Sequence, residues 1–343
     1  MSERLALVMG DPAGIGPELF ARLLAEPRVR DAAAVIGIGD RRVLARGIEQ
    51  AGVRPEVAIG TDPEALCRLA APGRPVFWDL GNCDPATCPP GRVSAAAGAS
   101  ALSNFRAGLE LARTGRVQAI TFTPFNKQAI RLVHPTYEDE AVEARAWFGL
   151  SSEVSEINVT SVFWNARVTS HVPLKDVAGL LSSARILERL CALDRALAAA
   201  GKTPRRIAVA ALNPHAGEGG AFGREEIDII APAVERARAL GIEAEGPYPA
   251  DTVFLRAARG AFDAVLSMYH DQGQIAVKLL GFAEGVTLLW GTPVPITTPA
   301  HGTAFDIVGA RRANPEPSLR AAELALRMAR ADGTRAGAPG TAG

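Results

Sequence analysis

The sequence has few of the features that mark a secreted, membrane-bound or nucleic-acid-binding protein. It has only four cysteines in 343 residues, and they do not form the paired CxxC pattern of a zinc site. No apolar run approaches the ~18 residues of a membrane span, and MSERLALVMGD reaches charge too early for a secretory signal. Basic and acidic residues balance at 37 each, so no basic field favours a polyanion. These absences predict a cytoplasmic protein that binds neither nucleic acid nor membrane.

Cysteine and lysine are both scarce, and this scarcity singles out a few positions. Cys83 and Cys88 share the loop GNCDPATCPPG, where a small zinc clasp or a disulfide would fit. Free thiols are favoured because the chain offers no second pair nearby and is expected in the cytoplasm. Only four of the 37 basic residues Lys and Arg are lysines, and Lys278 is one of them. Only four positions in the chain therefore carry the compact, titratable ammonium group of lysine.

Apolar runs alternate with helical patterns along the chain. The runs RLALV, AAVIGIG, AITF, RIAVAA and DAVLS are predicted strands, and PELFARLLAEP and RRVLARGIEQAG are predicted helices. This alternation predicts an α/β protein with a largely parallel sheet, and the length favours two domains around a cleft. Ligands of such sheets gather beyond the carboxyl ends of the strands.

Three histidines follow apolar runs in similar polar contexts. His171 lies in TSHVPLKD, His215 in NPHAGEGG and His270 in MYHDQGQ. Three imidazoles with one open position can hold a catalytic divalent metal, although each histidine alone could equally be structural. Two further residues are ambiguous. Asp251 in GPYPADTVF is either a helix cap or an acid–base group, and Lys278 is either a solvated strand-edge lysine or a contact for an anionic substrate.

Two glycine-containing loops complete the candidate site. MGDPAGIGPE joins the first strand to the first helix, but Pro12 and Pro17 interrupt a dinucleotide fingerprint, so a tight turn is favoured. HGTAFDIVGARRANP, residues 301–315, is rich in small residues and backbone donors that would suit adenine.

In this order, MGDPAGIGPE, SHVPLKD, NPHAGEGG, GPYPADT, YHDQGQ and HGTAFDI resemble the 4-hydroxythreonine-4-phosphate dehydrogenase family of pyridoxine biosynthesis. The GIGPE and HGTA segments are also similar to isocitrate and isopropylmalate dehydrogenases. The resemblance implies a two-domain fold of that type, forming a homodimer whose active-site cleft is shared between subunits. We expect residues 1–125 and 285–330 to form the cofactor-side domain, residues 126–284 the metal, substrate and dimerisation domain, and residues 331–343 a disordered tail.

The resemblance also implies roles for individual residues. His171, His215 and His270 match the metal ligands, two from one subunit and one from its partner, with the glycines near His215 giving backbone access to the ion. Asp251 and Lys278 match the catalytic pocket. The matches to the cofactor loop are His301, Gly302, Thr303, Ala304, Asp306 and Asn314. The implied cofactors are NAD or NADP and one divalent metal ion, which could be zinc, cobalt, nickel, magnesium or manganese.

The substrate pocket departs from the family pattern. A Gly-His-Thr-Glu stretch that binds substrate is replaced by a segment beginning with Asp139 and Glu140, and Thr287 and Ile296 stand where the family has Asn and Arg. Asp139, Glu140, Thr287 and Lys278 are therefore the candidate substrate contacts. Losing a phosphate-gripping arginine should weaken the binding of a phosphorylated substrate.

The expected activity is that of a metal-dependent NAD(P) dehydrogenase that oxidises a hydroxy acid, with decarboxylation of the β-keto acid. A base near Asp251 or Lys278 would accept the hydroxyl proton. The alternative within this class is a catabolic dehydrogenase for an unphosphorylated hydroxy acid or a dihydrodiol carboxylate. A hydrolase using the same histidines would leave the HGTAFDI loop without a purpose, and a weakened binding protein would show no turnover.

Overall fold

The computed structural model describes residues 3–281 and 284–336, which form an α/β fold as predicted. The strands are β1 (Arg4–Val8), β2 (Ala34–Gly39), β3 (Ala58–Gly60), β4 (Val76–Asp79), β5 (Ala119–Phe122), β6 (Ser155–Val159), β7 (Trp164–Arg167), β8 (Ile207–Ala210), β9 (Ala244–Tyr248), β10 (Ala264–Ser267), β11 (Val286–Trp290) and β12 (Ile296–Pro299). The helices are α1 (Gly16–Ala25), α2 (Pro27–Arg30), α3 (Arg41–Ala51), α4 (Pro63–Leu69), α5 (Ala95–Arg113), α6 (Lys127–Arg131), α7 (Glu140–Phe148), α8 (Val177–Leu180), α9 (Ser183–Ala199), α10 (Ala231–Ala239), α11 (Ala250–Ala258), α12 (His270–Gly281) and α13 (Glu316–Ala336).

The chain divides into two compact units. The first contains the residues up to Val154 and those from Val286 onward, and the second spans Ser155–Gly285. The sequence placed the first boundary after residue 125, whereas residues 126–154 lie in the first unit. The reason is packing, because α6 and α7 both contact α5 of that unit.

The first unit has the strand order β3-β4-β2-β1-β5-β12-β11, in which only the β11–β12 pair is antiparallel. Its central strands are buried because helices cover them, which explains their continuous apolar sequences. Phe20 of α1 and Phe77 of β4 meet edge to face, and Gly37 of β2 leaves room for both rings. Asp40 caps α3, and Gly52 ends the same helix in the left-handed conformation. Local sequence and packing therefore agree in this unit.

The second unit has the strand order β6-β7-β10-β8-β9, with β6 antiparallel to β7 and the other neighbours parallel. Its core includes Phe163, Val253, Val265 and Val277. The carboxyl ends of β7 and β10 are adjacent, because these two strands are neighbours and run in the same direction. Two of the histidines singled out in the sequence follow these two ends.

Two sequence predictions need correction. The strand-edge alternative for Lys278 is wrong, because Lys278 lies in α12, where buried Val277 faces the core and Lys278 is exposed. Residues 331–336 were assigned to a disordered tail, but they continue α13, and residues 337–343 lie outside the described part. Among the described residues, no helix is both long and apolar enough to cross a membrane.

Candidate functional site

His171 and His270 are brought together by two neighbouring strand ends. Beyond β7 and β10 the two backbones remain joined, since the Thr169 amide donates to the Met268 carbonyl at 3.1 Å and the Thr169 hydroxyl to the same oxygen at 2.8 Å. His171 and His270 each follow two residues later. Their ring centroids lie 5.6 Å apart. The parallel pairing of these strands therefore places two imidazoles side by side, as the sequence predicted for polar strand ends.

The two imidazoles line a pocket of about 420 Å³. Its wall also includes Tyr269, Asp271, Val172 and Leu174. The Asp271 carboxylate lies 2.7 Å from His270 Nδ1, which leaves Nε2 as the ring nitrogen for another partner. A carboxylate beside one imidazole nitrogen orients the ring, as at many metal sites. The pocket thus has donors of the kind that bind transition metals.

His215 lies elsewhere in the second unit. It follows β8 in an exposed turn, with its ring centroid 6.2 Å from that of Phe222, and it does not line the pocket of His171 and His270. Across residues 3–281 and 284–336, no three His, Cys, Asp or Glu side chains stand close enough to hold one metal ion. One chain therefore brings together two of the three predicted metal ligands, and the placement of His215 in the site stays a prediction.

The turn that carries His215 has an unusual backbone. His215, Ala216 and Glu218 have φ values of 52°, 54° and 44°, in the left-handed region that costs a non-glycine residue about 1–2 kcal/mol. The buried Glu226 carboxylate stabilises the base of this turn by accepting hydrogen bonds from the amides of Leu212 and Asn213, both at 2.8 Å. The turn is thus built around Glu226, a residue that the sequence analysis did not single out.

Two glycines of the same turn are required by this anchor. A Cβ at Gly217 would lie 2.7 Å from Glu226 Oε2, and one at Gly223 would overlap the Asn213 amide group. Asn213 Nδ2 in turn donates to Glu226 Oε2 at 2.9 Å. These glycines therefore make room for the Asn213–Glu226 pair, and the backbone access to an ion that the resemblance implies stays a prediction. The stretch NPHAGEGGAFGREE contains both partners, but nothing in their spacing shows the contact.

Asp251 and Lys278 lie on separate helices of the second unit, and both are exposed. Asp251 is in the first turn of α11, where its charge favours the helix dipole, but the capping position is Pro249, two residues earlier. The simple capping interpretation of Asp251 is therefore wrong. Lys278 is on α12, the helix that begins at His270, two turns further along. Both side chains are available for a ligand.

The C-terminal loop of the first unit packs on the glycine-rich turn after β1. The Ile15 amide donates to the Thr303 carbonyl at 3.0 Å, and a Cβ at Gly14 would lie 2.8 Å from that carbonyl oxygen. Ala304 has a φ of 43°, which turns the loop into the short helix Phe305–Ile307. The tight-turn interpretation of MGDPAGIGPE therefore fits, and the turn also supports the predicted cofactor loop.

His301 is the residue of this loop that most clearly lacks a partner. Its buried Nε2 atom has no hydrogen-bond partner among the residues that the structure describes, while Nδ1 is 3.1 Å from the Gly302 carbonyl. Burial lowers the pKa of His301, so the imidazole is neutral at pH 7 and can make a neutral hydrogen bond. A buried polar atom without a partner costs free energy, which a bound ligand would recover.

The other predicted cofactor residues differ in their surroundings. Gly302 and Asp306 are exposed, and Thr303 and Ala304 are half-buried. The side chain of Asn314 accepts a hydrogen bond from the Glu316 amide at 3.1 Å, at the start of α13. Asn314 therefore has a capping role in this structure.

Asp11, in the glycine-rich turn, is a second residue that the sequence analysis did not single out. It is buried, and although Oδ1 accepts from the Ala13 amide at 2.7 Å, Oδ2 has no partner within residues 3–281 and 284–336. Burial raises the pKa of Asp11 to about 6, against opposing effects of the Ala13 amide and the Arg46 guanidinium. A buried Asp between glycine and proline gives no sequence signal for such a shift.

The candidate substrate residues of the first unit are mostly involved in its own packing. Asp139 caps α7 by accepting from the Val142 amide at 2.9 Å. Glu140 is buried, accepts from the Tyr137 hydroxyl at 3.0 Å and lies 3.7 Å from the Lys127 ammonium, and burial raises its pKa. The structure therefore gives Asp139 and Glu140 internal partners.

Thr287 and Ile296 belong to the antiparallel pair β11–β12. Thr287 is half-buried and pairs with Thr298, while Ile296 is fully buried in the core. The position where the family pattern has an arginine is thus filled by a core side chain. No phosphate contact can come from Ile296.

The approach of Gly14 to Thr303 allows a direct test of the loop contact. Gly14→Ala should push the C-terminal loop away, because its Cβ would meet both the Thr303 carbonyl and the Thr303 side chain at 2.8 Å. We expect a loss of dinucleotide affinity of about tenfold, equal to about 1.4 kcal/mol, measured by isothermal titration calorimetry. Gly179→Ala, where no atom lies within 4 Å, is the matched control. Equal affinities for the two variants would show that the loop does not bind the dinucleotide.

Comparisons with known proteins indicate the same family by sequence and by structure. Residues 31–325 match the model of the family described as "Pyridoxal phosphate biosynthetic protein PdxA". A Rhizobium meliloti (strain 1021) protein named "Putative 4-hydroxythreonine-4-phosphate dehydrogenase 2" is 53% identical, covering 95% of this chain and 93% of that one. The D-threonate 4-phosphate dehydrogenase of Salmonella typhimurium is 38% identical, covering 96% and 99%. The solved 4-hydroxythreonine-4-phosphate dehydrogenase of Klebsiella pneumoniae is 39% identical with a TM-score of 0.80, covering 96% and 98%.

Two more distant solved structures share the fold. A terephthalate 1,2-cis-dihydrodiol dehydrogenase from Burkholderia xenovorans LB400 is 27% identical with a TM-score of 0.64, covering 95% of this chain and 98% of its own. The isocitrate dehydrogenase of Methylococcus capsulatus is 14% identical with a TM-score of 0.50, covering 96% and 88%. The latter supports only the fold, and it agrees with the isocitrate-dehydrogenase-like class predicted from the sequence.

Proposed function

The chain belongs to the PdxA family, and on this basis we propose that it is a metal-dependent dehydrogenase that oxidises a small phosphorylated hydroxy acid with NAD or NADP. Membership of a family whose named relatives are dehydrogenases makes it an oxidoreductase. The substrate, the metal and the choice between NAD and NADP are the proposed parts. Decarboxylation of the resulting β-keto acid would complete the reaction.

The observation that carries the cofactor proposal is the unpartnered His301. The neutral imidazole can donate or accept one hydrogen bond at Nε2, and the loop 301–306 around it rests on the turn at Gly14 and Ile15. Such a preformed loop of backbone donors and small side chains suits the polar edge and flat face of adenine. We therefore propose that this loop binds the dinucleotide, with Gly302, Thr303 and Ala304 providing backbone contacts.

The donor set of the pocket supports a divalent metal. His171 and His270 present two imidazoles in one pocket, and Asp271 orients the second ring. We propose that His215 completes the set at a site shared by two subunits, because a single chain gathers only two of the three rings. When bound, the metal supplies a Lewis acid and the nicotinamide supplies the hydride acceptor.

The protein's own side chains would then manage charge and protons. Lys278 is exposed on the helix that starts at His270, and its ammonium would bind an anionic group of the substrate. Asp251, exposed in the first turn of α11, is the proposed acceptor of the hydroxyl proton, with Lys278 as the alternative acceptor.

The phosphorylated substrate is favoured by the relatives. Relatives named for 4-phosphate substrates are 38% and 53% identical over more than nine-tenths of this chain, whereas the dihydrodiol dehydrogenase is 27% identical. The buried Ile296 supports the alternative, a catabolic dehydrogenase for an unphosphorylated acid, because it removes one expected phosphate contact.

A spectrophotometric assay tests the proposed activity. The protein, a divalent metal and NAD or NADP should form reduced nicotinamide with 4-phosphohydroxy-L-threonine or D-threonate 4-phosphate. A chelator should abolish turnover, and added metal should restore it. Phosphate release without reduced nicotinamide would identify a hydrolase, and dinucleotide binding without turnover across a broad panel would identify a binding protein.

An apolar surface on α12 supports the proposed homodimer. Ile275 and Leu279, one helical turn apart, are 60% and 80% exposed. Burial of these two side chains against a second copy of the chain would be favourable, and both lie on the helix that begins at His270. Leu279→Asp should weaken dimerisation by at least about tenfold, through the cost of burying a charge. Light scattering after size-exclusion chromatography would measure the mass.

Leu240→Asp is the matched control for this prediction. Leu240 is 65% exposed at the end of α10, so both variants place a carboxylate on a similarly exposed leucine. We expect the Leu240 variant to remain a dimer. A monomeric wild-type protein, or a Leu279 variant that dimerises as tightly as the control, would contradict the proposed interface.

A further inference from the structure

Cys83 and Cys88 form a buried pair of thiols in the loop between β4 and α5. Their sulfur atoms lie 2.9 Å apart, and both side chains are almost completely buried. A disulfide requires a sulfur–sulfur distance of about 2 Å, so bond formation needs a shift of less than about 1 Å. The loop between them is a single short turn, Pro85–Thr87. The two sulfurs are thus already positioned for a bond.

The surroundings of the pair favour a reactive thiolate. The pKa of Cys88 is lowered to about 7, chiefly by its hydrogen bond with the Cys83 sulfur, with further stabilisation by Thr87, Ser94 and the Arg46 guanidinium. The thiolate is the nucleophilic form of cysteine, so a lowered pKa favours reaction at Cys88. The same hydrogen bond and burial raise the pKa of Cys83.

Residues between the two cysteines are solvent-exposed. Asp84, Ala86 and Thr87 all lie at the surface, so a local opening of this one turn would bring a small oxidant to Cys88. The other two cysteines are different. Cys67 is buried and its pKa is raised by burial, and Cys191 is half-buried on α9.

We propose that Cys83 and Cys88 are a modification site that a hydroperoxide oxidises to a reversible disulfide. The Cys88 thiolate attacks one peroxide oxygen, which forms a sulfenic acid and releases hydroxide. The Cys83 sulfur then attacks the sulfenic sulfur, the sulfur–sulfur bond forms, and water leaves with the Cys83 proton. Overall, two thiols and hydrogen peroxide give one disulfide and two waters. A small dithiol reverses the step and is itself oxidised.

The disulfide would fix a loop that contacts the glycine-rich turn. The Arg46 guanidinium donates to the Cys88 carbonyl at 3.2 Å and also to the Pro12 carbonyl. The Gly91 amide donates to the Ala13 carbonyl at 2.8 Å. Oxidation therefore acts on a segment that is hydrogen-bonded to Ala13 directly and to Pro12 through Arg46.

Mass spectrometry of the full-length protein tests the proposal. After hydrogen peroxide treatment, denaturation and thiol alkylation, only Cys67 and Cys191 should carry the label, and the 83–88 peptide should lack two hydrogens. Dithiothreitol added after the peroxide and before alkylation should restore labelling of all four cysteines. The pair should form its disulfide faster than Cys191 is oxidised, because the second sulfur lies only 2.9 Å away and can displace water from the first-formed sulfenic acid.

Two sets of variants complete the test. The Cys67→Ser/Cys191→Ser double variant keeps the pair and should form the disulfide at the wild-type rate, whereas Cys83→Ser should leave an unlinked, peroxide-sensitive Cys88. Labelling of all four wild-type cysteines after peroxide would overturn the proposal, and so would oxidation of Cys88 to a sulfinic acid without a disulfide. If Cys83→Ser does not fold, the Cys67→Ser/Cys191→Ser variant alone tests the proposal, because a disulfide in that variant can form only between Cys83 and Cys88.

Discussion

Replacing His270 with alanine is expected to reduce kcat/KM by at least about 100-fold and to remove most of the bound metal. Even changes to the partners of metal ligands cost about 10- to 100-fold, so loss of a ligand should cost no less. His171→Ala should behave similarly, because the two rings lie 5.6 Å apart and line one pocket. Steady-state kinetics and elemental analysis of metal content measure the two effects.

His134→Ala is the matched histidine control for metal content. His134 lies in the first unit, where its ring contacts Thr136 and the Glu143 carboxylate. The control variant should retain the wild-type amount of metal, and all variants should keep the wild-type circular dichroism spectrum. Near-normal turnover of both His171→Ala and His270→Ala would refute the metal assignment. His215→Ala with full metal content would refute only the proposed third ligand.

Asp11→Asn is expected to change how stability depends on pH by up to about 3 kcal/mol. Burial raises the pKa of Asp11 from its unfolded value of 3.8 to about 6, so the folded protein holds this proton more tightly. The stabilisation from this proton is fully present below about pH 4 and is lost as pH rises through about 6. Asparagine carries no such charge, so the variant should gain stability relative to wild type between pH 4 and pH 8.

Urea denaturation at pH 4 and pH 8 measures this difference. The free energy of unfolding of Asp11→Asn minus that of the wild type should be larger at pH 8 than at pH 4. Asp306→Asn, an exposed position in the same unit, should follow the wild type. A gap that stays constant across the range would mean that Asp11 is not protonated preferentially in the folded state.

The sequence predicted the parts of the fold that depend on long apolar patterns. Strands β1, β2, β5, β8 and β10 all fall on the predicted runs, because strands covered by helices on both faces need continuous apolar sequence. The rule that a continuous apolar run predicts a buried strand does not hold for QIAVKLL. Its apolar residues form a helix with Val277 buried and Ile275 and Leu279 exposed, so an apolar run did not mark a strand there.

The candidate site was predictable where it depends on strand ends, and not where it depends on single contacts. His171 and His270 meet because β7 and β10 are parallel neighbours, as expected for polar residues at strand ends. The position of His215 depends on a left-handed turn anchored by Glu226, and neither feature has a signature in residue spacing. The burial of Asp11 likewise depends on packing around its turn.

The kcat/KM ratio for D-threonate 4-phosphate over D-threonate tests the central claim most directly. It is measured with saturating dinucleotide and metal, beside 4-phosphohydroxy-L-threonine and a cis-dihydrodiol carboxylate. A site that binds a phosphate by charge-assisted hydrogen bonds should prefer a phosphorylated acid by at least about 100-fold, or about 3 kcal/mol. Turnover of an unphosphorylated acid or of the dihydrodiol carboxylate alone would contradict the account and identify a catabolic dehydrogenase.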